Sequence, residues 1–459
     1  MDFLKKIADA QESLSEDALS HLKTYKYSSV DKSFISRYIL KHYWNAFVEL
    51  LPLWLAPNMV TLIGFMFIVG NLILMEIAVP DLVGPVLALS ISSLNLTPSM
   101  MLISSVVNDR LQHGYTTALR WGYGCIQQWT MSTGNKRGEQ APRAVWENCS
   151  RITSHGIDSL NCTLASLLQA AAMGQGSTKI GAFTTLLPCL PMFFSTWETY
   201  HTHTLYLGYI NGPTEGLIIA VMMMVASGYY GPHIFSNKVA DTLGHANVFG
   251  NWTFQELFVF VLGFSFWTAH FPACVYNVIR VRKRQKQPVL PVFFGWIPAT
   301  VASVSAVSWL YSPYSSLLKD NRLVLFAVTM CFVIGRMTTK IILAHLTRQP
   351  FPYWTILITP LIGGAVLGNL PRFGFPAISP WLELLYLRLY LVFAFVTYMH
   401  WAYFVVNRIT TYLGINCLTI KQDKPKAREP IYRSFGDARV DIPFNARPDP
   451  FADSRVKAN

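Results

Sequence analysis

The sequence predicts an all-α, polytopic integral membrane protein with about ten transmembrane helices. Of its 459 residues, 52% are hydrophobic and only 14% are charged, which is too apolar for a soluble globule. Apolar windows of about 20 residues, the length that crosses a bilayer, recur along the chain. No stretch of alternating polar and apolar residues is long enough to indicate a barrel.

The apolar windows divide the chain into a lead, a membrane domain and a tail. Residues 1–57 form a cytosolic lead, residues 58–410 the membrane domain, and residues 411–459 a cytosolic tail that is polar and Pro-rich from about residue 420. We expect this last part to be disordered because it has little apolar surface to bury. The predicted spans lie near 58–78, 84–106, 157–174, 179–196, 214–230, 254–280, 290–311, 322–346, 352–370 and 380–408.

The lead ends in an amphipathic segment, residues 31–48. Apolar and aromatic residues recur there at helical spacing, with Lys32, Arg37 and Lys41 spread among them. This profile is typical of a helix that lies in the plane of the membrane interface. A soluble helix that packs on the membrane domain would show the same pattern, and both alternatives stay open.

The net charge of +12 is concentrated in Arg280–Lys286 and in the tail from Lys421 onward. The positive-inside rule places both segments on the cytosolic side. Basic clusters beside membrane spans favour contacts with anionic lipid headgroups over nucleic-acid binding. The seven cysteines are scattered without metal-binding spacing, which is typical of small buried hydrophobic residues.

An imidazole and a carboxylate stand where a membrane span is predicted to begin. The residues are His155-Gly-Ile-Asp158, followed directly by an apolar stretch. Ionisable groups at membrane depth are costly and usually functional. A structural alternative is a helix N-cap at Asp158 or Ser159 beside a solvated histidine.

His155-Gly-x-Asp158 resembles the end of the CDP-alcohol phosphotransferase signature. Two further stretches resemble fungal choline- and ethanolamine-phosphotransferases: Leu55-Ala-Pro-Asn-Met-Val-Thr-Leu-Ile-Gly-Phe65, and Trp197-Glu-Thr-Tyr-His-Thr followed by Asn211-Gly-Pro-Thr-Glu-Gly. The resemblance covers roughly 20–83 and 155–420. It implies transfer of phosphocholine or phosphoethanolamine from CDP-choline or CDP-ethanolamine to diacylglycerol, giving a phospholipid and CMP. It also implies Mg²⁺ or Mn²⁺ as cofactor and a site that faces the cytosol in the endoplasmic reticulum or Golgi. A homodimer is usual for the wider family.

The resemblance also implies roles for single residues. His155 would be the general base that takes the proton of the diacylglycerol hydroxyl, and imidazole titrates near the neutral range that this role needs. Asp158 would be a metal ligand, and Asn58 would contact the CDP portion. The residues expected to line the entrance or the cavity are Thr61, Glu198, His201 and Glu215.

The sequence departs from the signature upstream of His155. Ser154 stands where the third signature aspartate is expected, and Arg151 replaces a glutamate that makes the histidine more basic in the family. The first two aspartates are absent from the reading frame. When reading starts at the third base of each codon, however, Trp129-Thr130 must give Asp and Trp146-Glu147 must give Gly. The intervening codons then permit Asp-x-Val-Asp-Gly-x-Gln-Ala-Arg-Arg, seven residues and Gly-Glu-Leu-Phe, with the family spacing intact inside that stretch. A few extra residues then separate it from His155, which is in frame.

We interpret residues from about 120 to about 150 as the family motif translated in a shifted frame, within an aberrant region at 84–154. A strongly divergent natural isoform is the alternative. A single aspartate cannot hold two magnesium ions beside a pyrophosphate, so we predict that the polypeptide as printed is inactive. Two other functions stay open: a catalytically dead family member with a binding or regulatory role, and a polytopic transporter, although no inverted repeat is visible.

Overall fold

The computed structural model describes most of the membrane domain and short parts of the lead. The described residues are 14–24, 29–31, 38, 57–78, 82, 143–207, 216–243 and 250–419. They belong to one compact unit, Met1–Lys421, whereas the second unit, Gln422–Asn459, lies outside them. The predicted span at 84–106, the disordered tail and nearly all of the amphipathic segment at 31–48 therefore also lie outside the described residues.

Helices account for nearly all the regular structure of the described residues, which confirms the all-α prediction. One parallel strand pair, β1 (Ser29–Asp31) with β2 (Leu205–Leu207), joins the lead to the membrane domain. The π-helical turn Phe266–His270 connects the α-helices Phe254–Ser265 and Phe271–Arg284. The α-helices are α1 (Glu16–Thr24), α2 (Pro57–Ala78), α3 (Arg143–Ala172), α4 (Lys179–Leu186), α5 (Cys189–Thr202), α6 (Leu217–Tyr230), α7 (Val239–Leu243), α8 (Phe254–Ser265), α9 (Phe271–Arg284), α10 (Ile297–Leu310), α11 (Leu323–Leu346), α12 (Ile358–Leu367) and α13 (Pro380–Leu413).

Five helical segments of the described chain are long and apolar enough to cross a membrane, which indicates an integral membrane protein. The prediction of about ten spans is wrong for this part of the chain. Shorter apolar helices account for three of the other predicted spans, and the ten residues of α12 reach only about 15 Å, half the hydrocarbon thickness. The five segments are Lys179–Thr202, Phe254–Arg284, Leu290–Leu310, Leu323–Leu346 and Pro380–Leu413, and the shorter helices are Thr61–Ile77, Ile218–Tyr230 and Ile358–Leu367.

Helix α11 is the central helix of the membrane domain. In its most apolar window 78% of the residues are buried inside the protein, against 11% for Phe254–Arg284. Large apolar side chains such as Phe264 and Trp267 are exposed on that peripheral segment, as expected for a surface that faces lipid. The segment from α8 to α9 therefore lies at the edge of the domain.

Helix α3 packs antiparallel on α11. A Cβ atom at Gly335 would lie 2.7 Å from Leu160, and one at Gly156 would lie 3.5 Å from Thr339. Residue numbers increase along α3 while they decrease along α11, so the start of α3 lies beside the end of α11. Small residues at such contacts let two membrane helices approach closely.

Helix α1 of the lead packs on the membrane domain at this same end. Leu19 and Leu22 are buried in one apolar cluster with Ile152, Ile342 and Trp401, which belong to α3, α11 and α13. The parallel pairing of β1 with β2 holds the lead at a second point, just after the end of α5. Part of the lead is therefore anchored by packing in the structure.

A buried carboxylate connects α10 to the start of α13. Glu383 is 1% exposed and accepts four hydrogen bonds, from the Trp309 indole N–H (2.8 Å), the Ser315 hydroxyl (2.7 Å), and the backbone N–H and hydroxyl of Ser316 (2.7 Å each). The same indole packs against Gly364, where a Cβ atom would lie only 2.1 Å from the ring. The position of α13 therefore depends on these polar and steric contacts.

Candidate functional site

His155 and Asp158 lie within a continuous helix. Helix α3 begins at Arg143, well before His155, so the prediction that these residues stand at a helix start is wrong, and Asp158 is not an N-cap. Residues 143–154, the part of the polar segment that lies in α3, contain no glycine or proline that would break a helix. Ser154 and Asp158 are four residues apart and share one face of α3, and both are buried.

The Ser154 face of α3 meets the start of α2. The Ser154 hydroxyl donates to the Asn58 side-chain carbonyl (3.5 Å) and lies 3.4 Å from the Thr61 hydroxyl. Asn58 and Thr61 are fully buried, at 1% and 0% exposure. The structure therefore brings together Asn58, Thr61, Ser154 and, one turn further on, Asp158.

The chain after α13 closes this cluster. Asn58 donates its amide hydrogen to the Cys417 backbone carbonyl (2.9 Å), and the Cys417 thiol lies 3.8 Å from the Thr153 hydroxyl. Gly414 adopts a left-handed conformation (φ 67°) that ends α13 and turns the chain. Cys417 therefore fixes the orientation of the Asn58 side chain.

His155 points to a different neighbour, helix α5. Its Nε2 atom lies 3.2 Å from the Thr196 hydroxyl oxygen, and that hydroxyl donates its hydrogen to the Met192 carbonyl (2.7 Å). A hydroxyl has one hydrogen, so while it points at the Met192 carbonyl, Nε2 donates the hydrogen in the contact with Thr196. The lone pair of the neutral imidazole then lies on Nδ1, which makes Nδ1 the basic atom of His155.

Glu198 and His201 belong to a second group on α5. They follow Thr196 by two and five residues, which turns them about 200° and about 140° around the helix axis, away from the His155 side. Glu198 is buried and accepts a hydrogen bond from the Asn277 amide (2.8 Å), and the His201 ring stacks on Phe351. Their lining of the substrate cavity stays a prediction. Glu215 lies outside the described residues.

The described residues do not fit a pair of divalent cations. They contain no group of three or more His, Cys, Asp or Glu side chains that could hold a metal ion. One turn before Asp158 on α3, the groups are neutral: the Ser154 hydroxyl contacts the Asn58 side-chain carbonyl and the Thr61 hydroxyl. Magnesium in proteins is bound through carboxylates and phosphate oxygens, and the described side chains of this face offer one carboxylate.

Sequence reasoning missed Thr196 and Cys417. Thr196 directly precedes Trp197, where the second family-like stretch begins, but that stretch does not indicate a role for the Thr196 hydroxyl. Cys417 follows the last span as one of seven scattered cysteines, and no local pattern signals that its backbone carbonyl holds Asn58. Both contacts join segments that are distant along the chain.

Comparison with known proteins identifies the family. No family model matches the chain. The chain is 30% identical over 357 residues to Cholinephosphotransferase 1 of Saccharomyces cerevisiae, covering 74% of this chain and 80% of that protein. It is 29% identical over 422 residues to Choline/ethanolaminephosphotransferase 1 of Arabidopsis thaliana, covering 87% and 96%. An uncharacterized CDP-alcohol phosphatidyltransferase class-I family protein of Dictyostelium discoideum is 28% identical over 427 residues, covering 89% and 98%. The chain belongs to the CDP-alcohol phosphatidyltransferase class-I family.

Proposed function

We propose that this protein derives from an enzyme that transfers phosphocholine or phosphoethanolamine from a CDP-alcohol to diacylglycerol. The observation that carries the proposal is similarity to choline/ethanolaminephosphotransferases over most of the chain. His155 and Asp158 lie on one helix, α3. The reaction would take place in the endoplasmic reticulum or Golgi membrane, with the site facing the cytosol. The basic residues that end α9 lie at the same end of the helices as the site, which agrees with this orientation.

In this reaction the diacylglycerol hydroxyl oxygen attacks the phosphorus that carries the amino alcohol. A new P–O bond forms, the bond from that phosphorus to the bridging oxygen breaks, and CMP leaves with the bridging oxygen. Nδ1 of His155 would take the hydroxyl proton, while Thr196 holds Nε2 in its protonated form. Asn58 would contact the CDP portion, with its amide orientation fixed by Cys417.

The polypeptide as printed lacks the charge neutralisation that phosphoryl transfer from a pyrophosphate needs. Among the described side chains, Asp158 is the one carboxylate of the group that it forms with Asn58, Thr61 and Ser154, and Ser154 occupies the place of a second one. We therefore propose that the gene encodes an active enzyme with a divalent-cation site, Mg²⁺ or Mn²⁺, and that this polypeptide does not turn over. A dead family member that binds a CDP-alcohol is the second candidate, and the neutral Asn58–Thr61–Ser154 cluster favours it.

The test compares the printed chain with a restored chain in which residues 127–154 carry the shifted-frame motif and an aspartate at the third signature position. Each purified protein is supplied with diacylglycerol, magnesium, and CDP-choline or CDP-ethanolamine, and CMP release is measured. We expect no release from the printed chain and sustained release from the restored one. Robust turnover by the printed chain would refute the proposed loss of the site, and an inactive but folded restored chain would refute the transferase proposal.

Two variants of the restored chain test the role of the imidazole. His155→Gln removes the base and should lower kcat about 10²–10⁴-fold, the usual contribution of general base catalysis. Thr196→Val keeps the shape of the side chain but releases the Nε2 contact, so it should lower kcat less and shift the acidic limb of the pH–rate profile. An unchanged pH profile in Thr196→Val would show that Thr196 does not position His155.

A further inference from the structure

Three helix ends meet at the end of the membrane domain where the site lies, on the side of α5 that is turned away from His155. The end of α5 is held to the chain after α11 by a hydrogen bond from the Tyr200 hydroxyl to the Gln349 carbonyl (2.9 Å). The end of α9 packs on α5 through Asn277 and Glu198. These ends carry four basic side chains, here named the arginine–histidine cluster: His201, His203, Arg282 and Arg348.

The positive charge of the cluster is not neutralised by carboxylates in the described part of the chain. Within that part the one ion pair joins Arg322 to Asp320, and neither Arg282 nor Arg348 takes part in it. Glu198, the carboxylate on the same helix end, is buried and already accepts a hydrogen bond from Asn277. Two arginine charges are therefore available to an anion.

Two nitrogen atoms of the cluster are buried without a hydrogen-bond partner in the described part of the chain. Among the described residues, Nε2 of His201 and Nε of Arg282 make no hydrogen bond, although both atoms are shielded from solvent. Arg282 uses one other donor for the Gln287 side-chain carbonyl, and it lies on α9 five residues after Asn277, whose amide donates to Glu198 of α5. Leaving a buried polar atom unsatisfied costs about 1–3 kcal/mol, which a ligand with several acceptor oxygens would offset.

The helix dipoles oppose an anion at this place, because helix C-termini carry a negative partial charge of about half a unit each. Backbone turns already satisfy part of these carbonyls. The N–H of His203 donates to the Thr199 carbonyl (3.0 Å), and the N–H of Gln349 donates to the Ala344 carbonyl (2.8 Å). Two full arginine charges beside such capped ends leave the local charge positive.

We infer that the arginine–histidine cluster binds a phosphate group, with Arg282 and His201 as hydrogen-bond donors and Arg348 as a second cation. Arginine is suited to this role because its planar donors match phosphate oxygens. Basic pockets between membrane helices on the cytosolic side bind anionic lipid headgroups, and the basic run Arg280–Lys286 continues the positive surface. The phosphate would come from an anionic membrane lipid or from free phosphate in solution.

Binding is measured on the purified full chain in a neutral detergent, as a shift of the thermal unfolding temperature during titration. The three probes are dioctanoyl phosphatidic acid, inorganic phosphate, and dioctanoylglycerol, which lacks the phosphate. We expect saturable stabilisation by phosphatidic acid that the cluster variants weaken, whereas any stabilisation by dioctanoylglycerol, the proposed acceptor substrate, should be the same in the parent and in those variants. A response to phosphatidic acid without one to inorganic phosphate assigns the phosphate to a lipid, and equal responses assign it to the free anion.

The variants decide whether the cluster is the site. Arg282→Gln should weaken binding at least 10-fold, Arg282→Lys should weaken it less, and Arg348→Gln should have an intermediate effect. Arg280→Gln, an exposed position on the same helix, is the matched control and should change affinity less than 2-fold. If Arg282→Gln does not fold, the Lys variant and Arg348→Gln carry the test.

Equal losses for Arg280→Gln and the cluster variants would overturn the inference, because they would show attraction to the basic run in general. Absence of any phosphate-dependent stabilisation would overturn it as well. The measurement needs no transferase activity. Its failure would leave the proposed function standing, and an inactive restored chain would leave the phosphate site standing.

Discussion

Replacing Ser154 by aspartate should destabilise the protein and make its stability depend on magnesium. The new carboxylate would lie one turn before Asp158 on the same buried face of α3, with Cβ atoms about 5–6 Å apart. Two unit charges about 6 Å apart repel by about 3 kcal/mol at an effective dielectric constant of about 20. The new group would also face the Asn58 carbonyl oxygen, which accepts a hydrogen bond in the parent. We expect Ser154→Asp to lower the free energy of unfolding by about 2–3 kcal/mol without divalent cations.

Thermal unfolding in detergent at pH 8 measures this effect. Millimolar magnesium should raise the unfolding temperature of Ser154→Asp and leave the parent unchanged, because a ligand that binds the folded state stabilises it by mass action. Ser154→Asn, similar in shape but uncharged, is the control and should not respond to magnesium. An equal magnesium response in the parent, or identical behaviour of the Asp and Asn variants, would refute the reasoning.

Three further predictions concern stability and ionisation. Glu383→Ala leaves four buried donors without an acceptor and should lower the free energy of unfolding by at least about 4 kcal/mol. Glu256→Ala, which breaks an exposed capping box, should lower it by about 1 kcal/mol. Equal losses in denaturation experiments would contradict this difference. Gly364→Ala forces a methyl group into the indole packed against it and should cost about 1–3 kcal/mol, so an unchanged unfolding temperature would contradict the packing. Burial and the Arg348 charge lower the pKa of His203. The stability that the neutral imidazole contributes is therefore present above about pH 6.5 and is lost as the pH falls toward the pKa of the folded state. Arg348→Gln should raise the pKa of His203 in an NMR titration, and an unmoved pKa would exclude the charge effect.

The sequence predicted the helical membrane fold because an apolar composition and apolar windows of about 20 residues indicate segments that are removed from water in a membrane. It overestimated the number of spans because an apolar window such as 352–370 does not reveal where a helix begins, and α12 covers only Ile358–Leu367 of it. It also placed a helix start at His155, since the polar residues before it suggested a loop. Helix α3 continues through them because nothing there breaks a helix.

At the candidate site, the motifs singled out His155, Asp158 and Asn58, and their roles stay predictions. The structure adds the contacts that orient two of these side chains. Thr196 sets the tautomer of His155, and the Cys417 carbonyl holds the Asn58 amide. No motif could have found these contacts, because each depends on how distant helices pack and on which atom of a side chain is turned inward.

The most direct measurement is the sequence of the transcript across codons 84 to 155. We predict a transcript that encodes Asp-x-Val-Asp-Gly-x-Gln-Ala-Arg-Arg in frame with His155-Gly-Ile-Asp158, and therefore an enzyme with its cation site complete. A transcript that encodes Gln127 to Ser154 as printed would contradict the account. The protein would then be a natural family member without that site, and catalysis would have to be abandoned as its role.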